Sequence, residues 1–172
     1  MKKIILSIFA LPLIALCCSM SVNAQSSETD LNQVELMKQY IGTWKAEIVA
    51  DTTAIVEIIP SEKGYVINVY YQAKGVTYNT GKGIIGFAKN NTLVNWYTLW
   101  SGGGVSRDFG KFVSEDKITW ERYNADHNHV TGIIEGSFKS ADKLIHIWKW
   151  RGMKDTWDDV PVYEFTLIRV KK

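Results

Sequence analysis

The chain has 172 residues, 20 Lys+Arg against 18 Asp+Glu, seven Trp and two Cys. That length suits one domain with a proper core, and so balanced a charge leaves no basic surplus to grip a polyanion, which argues against nucleic acid as a partner. Both cysteines, Cys17 and Cys18, lie in an apolar leader, so the rest of the chain has no disulfide framework, thiolate metal site or cysteine nucleophile.

Residues 1–24 read as a secretory signal peptide. Lys2 and Lys3 form the positive start, residues 4–18 are almost continuously apolar, and Val22 and Ala24 fit the −3 and −1 positions of a cleavage site. The apolar run is short for a membrane-spanning helix and no charged stop follows it, so no stable membrane insertion is expected. A lipid anchor at Cys17 or Cys18 is the rival reading, but Leu16 before Cys17 and Cys17 before Cys18 make poor lipoboxes. Cleavage before Gln25 implies a periplasmic or secreted protein. It also removes two of the 20 Lys+Arg, leaving them equal to the 18 Asp+Glu.

Residues 25–41 read as a polar leader and a short helix. Asp30 has Gln33 three residues on, a capping-box spacing, and Leu31, Val34, Met37 and Ile41 form one apolar stripe. Such a helix before a run of strands is expected to lie across the open end of a barrel. From residue 42 to 172 the period is two. Trp44, Ala46 and Ile48 alternate with Lys45 and Glu47 up to a turn at Asp51-Thr52. Further strands are expected at about 54–58, 65–72, 76–87, 92–100, 106–113, 118–123, 130–138, 143–150 and 162–170. Gly81, Gly83 and Gly86 suggest a bend or bulge in the strand that holds them. About ten strands joined by short turns, with no helical pattern between them, predict an all-β, closed, up-and-down antiparallel barrel. Closure removes the edges that an open sheet would expose.

Gly42-Thr43-Trp44 after a short helix, together with Arg169 near the end of the last strand, resembles the calycin superfamily of lipocalins and fatty-acid-binding proteins. The resemblance implies that Arg169 covers Trp44 and that Gly42, Trp44 and Arg169 serve structural closure. A cation over an indole contributes about 0.5–2 kcal/mol. More narrowly, residues 81–87 (Gly-Lys-Gly-Ile-Ile-Gly-Phe) and 93–96 (Leu-Val-Asn-Trp) resemble bacterial exported lipocalin-like proteins of unknown function. The further boxes of true lipocalins are missing, so no particular ligand carries over.

Trp96 and Trp100 fall four apart in one strand and share a face; Leu144, His146, Trp148 and Trp150 share a face in another. Which face of the second strand looks inward stays open, because Ile145 and Ile147 make the other face apolar too. Trp96, Trp100, His146, Trp148 and Trp150 are the expected ligand-binding residues, lining a cavity for a small hydrophobic, aromatic or amphipathic ligand. Simple core filling is the competing reading. An enzyme with a pocket around His146 and a carboxylate, and a solid barrel acting through its surface, also stay open.

No cofactor is expected. A haem-binding barrel of the nitrobindin-like calycins would use a strand histidine as axial ligand, but nearer the C-terminus and in different surroundings from His146. His127 and His129 beside Asp126 lack further metal ligands at usual spacing. Asp155, Asp158 and Asp159 lack the calcium-loop arrangement, and Gly102-Gly103-Gly104 opens no helix that could hold a phosphate. Among the strand residues with catalytic chemistry, Arg107, Asp108, Glu121, Arg122, Tyr123 and Glu164, most are expected on the solvent face.

Overall fold

The computed structural model describes residues 31–124, 129–152 and 156–171. The leader at 1–24, the proposed cap Asp30, and His127 and Asp155 lie outside these residues. Ten strands follow one short helical segment: β1 Gly42–Val49, β2 Thr52–Ser61, β3 Gly64–Ala73, β4 Val76–Phe87, β5 Val94–Trp100, β6 Val105–Ser114, β7 Lys117–Tyr123, β8 Val130–Ser140, β9 Lys143–Trp150 and β10 Val162–Arg169. Each pairs antiparallel with its neighbour in sequence, and β10 pairs with β1, giving a closed barrel. The up-and-down barrel expected from the alternation is the observed fold. Strand β2 runs through Pro60 rather than stopping before it, since Pro60 still sits opposite Tyr65 near the strand's end. The strand that holds Gly81, Gly83 and Gly86 does carry a bulge, but at Tyr78, which is passed over between the Tyr71–Asn79 and Gln72–Thr77 pairs, and not at the glycines themselves.

The helix α1 Gln33–Met37 runs on into a 3-10 turn, Lys38–Tyr40. Its cap is Asn32, whose side chain accepts from the Glu35 amide at 3.1 Å. Of the expected stripe, Met37 is buried and Leu31 and Ile41 pack partly buried against the core, while Gln33 and Tyr40 are buried beside them, so Gln33 is not a capping residue. Gln33 bonds instead to the barrel wall: its Oε1 accepts from the Phe112 amide at 2.6 Å and its Nε2 donates to the Phe112 carbonyl at 3.2 Å. A buried amide with both ends engaged costs little to bury. This segment plugs one end of the barrel, over Ile58, Tyr65, Ile85, Phe112, Ile118, Phe138 and Leu144, all buried.

The clasp at this end is explicit. Trp44 is 1% exposed and sits opposite Arg169 across the β1–β10 pair. The Arg169 guanidinium lies 4.1 Å from the centre of the Trp44 indole. The same guanidinium donates to the carbonyls of Ile41, Gln39 (2.8 Å) and Ala141 (2.8 Å), while the Trp44 indole N–H donates to the Tyr40 carbonyl at 2.8 Å. Gly42 has φ +121°, and a Cβ there would stand 2.8 Å from Arg169 Nη1. Glycine is therefore required twice, for backbone angle and for room.

Candidate functional site

The plug closes one end of the barrel, and a cavity lies in the interior beyond it. A cavity of about 90 Å³ opens between the ends of the strands opposite the plug. Trp96, Trp100, Trp148, Tyr71, Phe165 and Ile48 supply apolar wall; Tyr40, Trp120 and His146 lie among its lining, and Asp108 and Arg122 also border it. Trp96, Trp100, His146 and Trp148 thus come together as lining residues, and Leu144, His146 and Trp148 identify the inward face of β9. Trp150 does not line the cavity. It packs at the rim, its ring 5.5 Å from Trp148 and 4.9 Å beneath the Arg122 guanidinium.

Several lining tryptophans keep their rings in place with partners of their own. Trp96 Nε1 donates to Thr98 Oγ1 at 2.8 Å and Trp100 Nε1 to Ser106 Oγ at 3.1 Å. Three indoles also lie against glycines directly opposite them on the neighbouring strand: Trp100 on Gly81, Trp120 on Gly110 and Trp150 on Gly132. A Cβ at those glycines would come within 2.9, 2.4 and 2.8 Å of the respective rings. The rings therefore lie flat against the wall instead of standing across the bore, an arrangement known from aromatic rescue of strand glycines.

Most of the strand charges are expected on the solvent face, and two of them turn the other way. Asp108, 3% exposed, and Arg122 point inward and form a bidentate pair. Arg122 Nε reaches Asp108 Oδ1 at 2.6 Å and its Nη2 reaches Oδ2 at 2.7 Å. The two residues face each other across β6 and β7, so each charge is neutralised where it enters the wall. Glu121 and Tyr123 do take the outer face, bonded to one another at 3.0 Å. Glu164 is exposed, and Arg107 lies over the rings of Phe109 and Tyr97.

His146 is buried and its partner is a phenol, not a carboxylate. Tyr40 Oη lies 3.2 Å from His146 Nε2, and Trp120 Nε1 lies 3.4 Å from the same oxygen. Burial pulls the imidazole down from 6.5 to about 4 and raises the Tyr40 phenol well above its ordinary 10, against a smaller opposing effect of the Trp120 hydrogen bond. Both groups are therefore neutral at pH 7. Among the described residues no three His, Cys, Asp or Glu side chains gather where they could hold a metal ion, and no helix is long and apolar enough to cross a membrane.

One pH effect follows. The unfolded chain protonates His146 near 6.5 whereas the folded chain resists until about 4. The unfolded state thus binds more protons in that window, and stability falls as pH drops through it. At about 1.4 kcal/mol per pH unit the loss is about 3 kcal/mol. Urea titrations from pH 7.5 to 4 should show that fall in the wild type and a smaller one in His146→Phe; parallel curves for the two proteins would refute the assignment.

No family model matches the chain, and no curated protein matches it in sequence. A solved structure that it resembles is that titled "Crystal Structure of Rv2717c from M. tuberculosis", at 13% sequence identity and TM-score 0.59 over 82% of this chain and 99% of that one. A likeness at that identity is a likeness of fold, a β-barrel in both.

Proposed function

We propose that this protein is an exported, lipocalin-like barrel that binds a small apolar or amphipathic molecule at the end opposite its helical plug. The observation that carries the reading is the cavity of about 90 Å³ walled by Trp96, Trp100, Trp148 and Phe165. An apolar cavity of roughly 150 Å³ takes up benzene, so this smaller one seats a five-membered ring or the end of a chain, with the rest of the ligand reaching the mouth. The clasp of Gly42, Trp44 and Arg169 supports the calycin-like part of the reading, and residues 1–24 support export.

The test uses the tryptophans as reporters. Small cyclic hydrocarbons, ketones and straight-chain alcohols should each give a saturable change in fluorescence, weakened several-fold by Thr98→Phe, which fills the space beside Trp96. A panel without a single saturable response, and an organic-solvent extract of the purified protein that holds no small molecule, would sink the proposal.

A further inference from the structure

The polar chain beneath the cavity has a direction, and the direction says what the ligand must carry. The Trp120 indole N–H can only donate, so at 3.4 Å from Tyr40 Oη it makes that oxygen an acceptor. The phenol's own proton is then free to go to the other neighbour, His146 Nε2, at 3.2 Å. A neutral imidazole that accepts at Nε2 carries its proton at Nδ1. The reverse tautomer would leave the Tyr40 hydroxyl accepting twice and its buried proton unspent, at the cost of an unmade hydrogen bond.

That Nδ1–H has no partner among the described residues. The Tyr40 contact is the hydrogen bond His146 makes among the described residues. The ring edge that carries Nε2 and Cδ2 is taken up by Tyr40 and by Gly136, where a Cβ would stand 3.2 Å from Cδ2. The residue is 7% exposed and belongs to the cavity lining. Trp148 Nε1 is also without a partner, but it is sealed from solvent, whereas the free edge of His146 faces the hollow. The charged pair at the mouth adds a second constraint. Asp108 already takes two of the Arg122 donors, and Arg122 is the cation among the described lining residues, so an incoming carboxylate would meet the Asp108 carboxylate beside it.

We infer that the ligand is neutral and bears a hydrogen-bond acceptor, a carbonyl, ether or hydroxyl oxygen on an otherwise apolar ring or chain, which His146 Nδ1–H engages at the floor of the cavity. The inference rests on the binding role proposed above and specifies the chemistry of that same site. It sets the site apart from one that selects fatty acids by charge.

The experiment compares cyclopentanone, methylenecyclopentane and cyclopentanecarboxylate at pH 7 by tryptophan fluorescence, with long-range ¹H–¹⁵N spectra of the histidine rings. The free protein should show His146 as the neutral Nδ1–H tautomer, with that resonance shifted on adding the ketone. The ratio of ketone to hydrocarbon affinity should fall about tenfold in His146→Phe, and the carboxylate should bind at least tenfold more weakly than the ketone. An Nε2–H tautomer in the free protein overturns the inference even if the variant does not fold. So does an unchanged ratio, or a carboxylate that binds best, while the binding role survives. If none of the three probes binds, the inference falls, and the role falls with it when the wider panel and the solvent extract are empty too.

Discussion

Replacing Arg122 by methionine is expected to destabilise the barrel by about 3 kcal/mol, lowering its melting temperature by roughly 6–12 °C. The reason is what it leaves behind. Asp108 has a side chain only 5% exposed, and both its oxygens are engaged by Arg122. Breaking a buried pair from one side costs about 3–5 kcal/mol because the remaining charge is stranded. The lower end applies here, since the Arg122 side chain is 21% exposed and sits towards the mouth. The double variant Asp108→Leu/Arg122→Met should recover most of the loss, because an apolar pair of similar volume has no charge to strand. Equilibrium urea unfolding of the three proteins decides the matter. A single variant within 1 kcal/mol of wild type, or a double variant worse than the single, would contradict the account.

Trp44→Ala should cost about 3–5 kcal/mol, the range for emptying a buried aromatic site. Several interactions disappear together. The indole fills space against Phe138, 6.2 Å away between ring centres, holds the Tyr40 carbonyl, and forms the surface on which Arg169 lies. Arg169→Met keeps the stem of the side chain but loses the cation–indole contact and the donors to Gln39 and Ile41, and should cost about 2 kcal/mol. Denaturation of both variants tests the order: an Arg169→Met loss larger than that of Trp44→Ala would place the seam's stability in the backbone bonds rather than in the packed ring.

The strands were legible because alternation and turn residues agreed at nearly every boundary. Trp96 with Trp100, and His146 with Trp148, could be grouped by period alone. Their direction could not be read where Ile145 and Ile147 made both faces apolar, and only the closed sheet settles it. Asp108 and Arg122 could not be singled out as the inward pair because a charge by itself favours water. The contrary signal was present: Arg122 shares parity with Trp120, and Asp108 with Gly110 and Phe112. What was missing was the register that sets the two charges opposite each other. The glycines of β4 have a second use that one strand cannot show. Gly81 reads as a weak point in its own strand and shows its use only beside Trp100. Gln33, polar and near a helix start, suggested a cap, and nothing in the local sequence reveals the Phe112 backbone it binds.

The seam between β1 and β10 also bears on timing. Every other pair in the barrel joins strands that are neighbours in sequence, whereas Arg169 and Gln39 at the seam are 130 residues apart. Closing so long a loop costs the most chain entropy of any step, and contacts of that separation slow folding. The chain can therefore assemble its hairpins one after another, but it cannot shut until its last strand is in place. Until then the plug has no guanidinium to grip its carbonyls, and both edges of the sheet stand open.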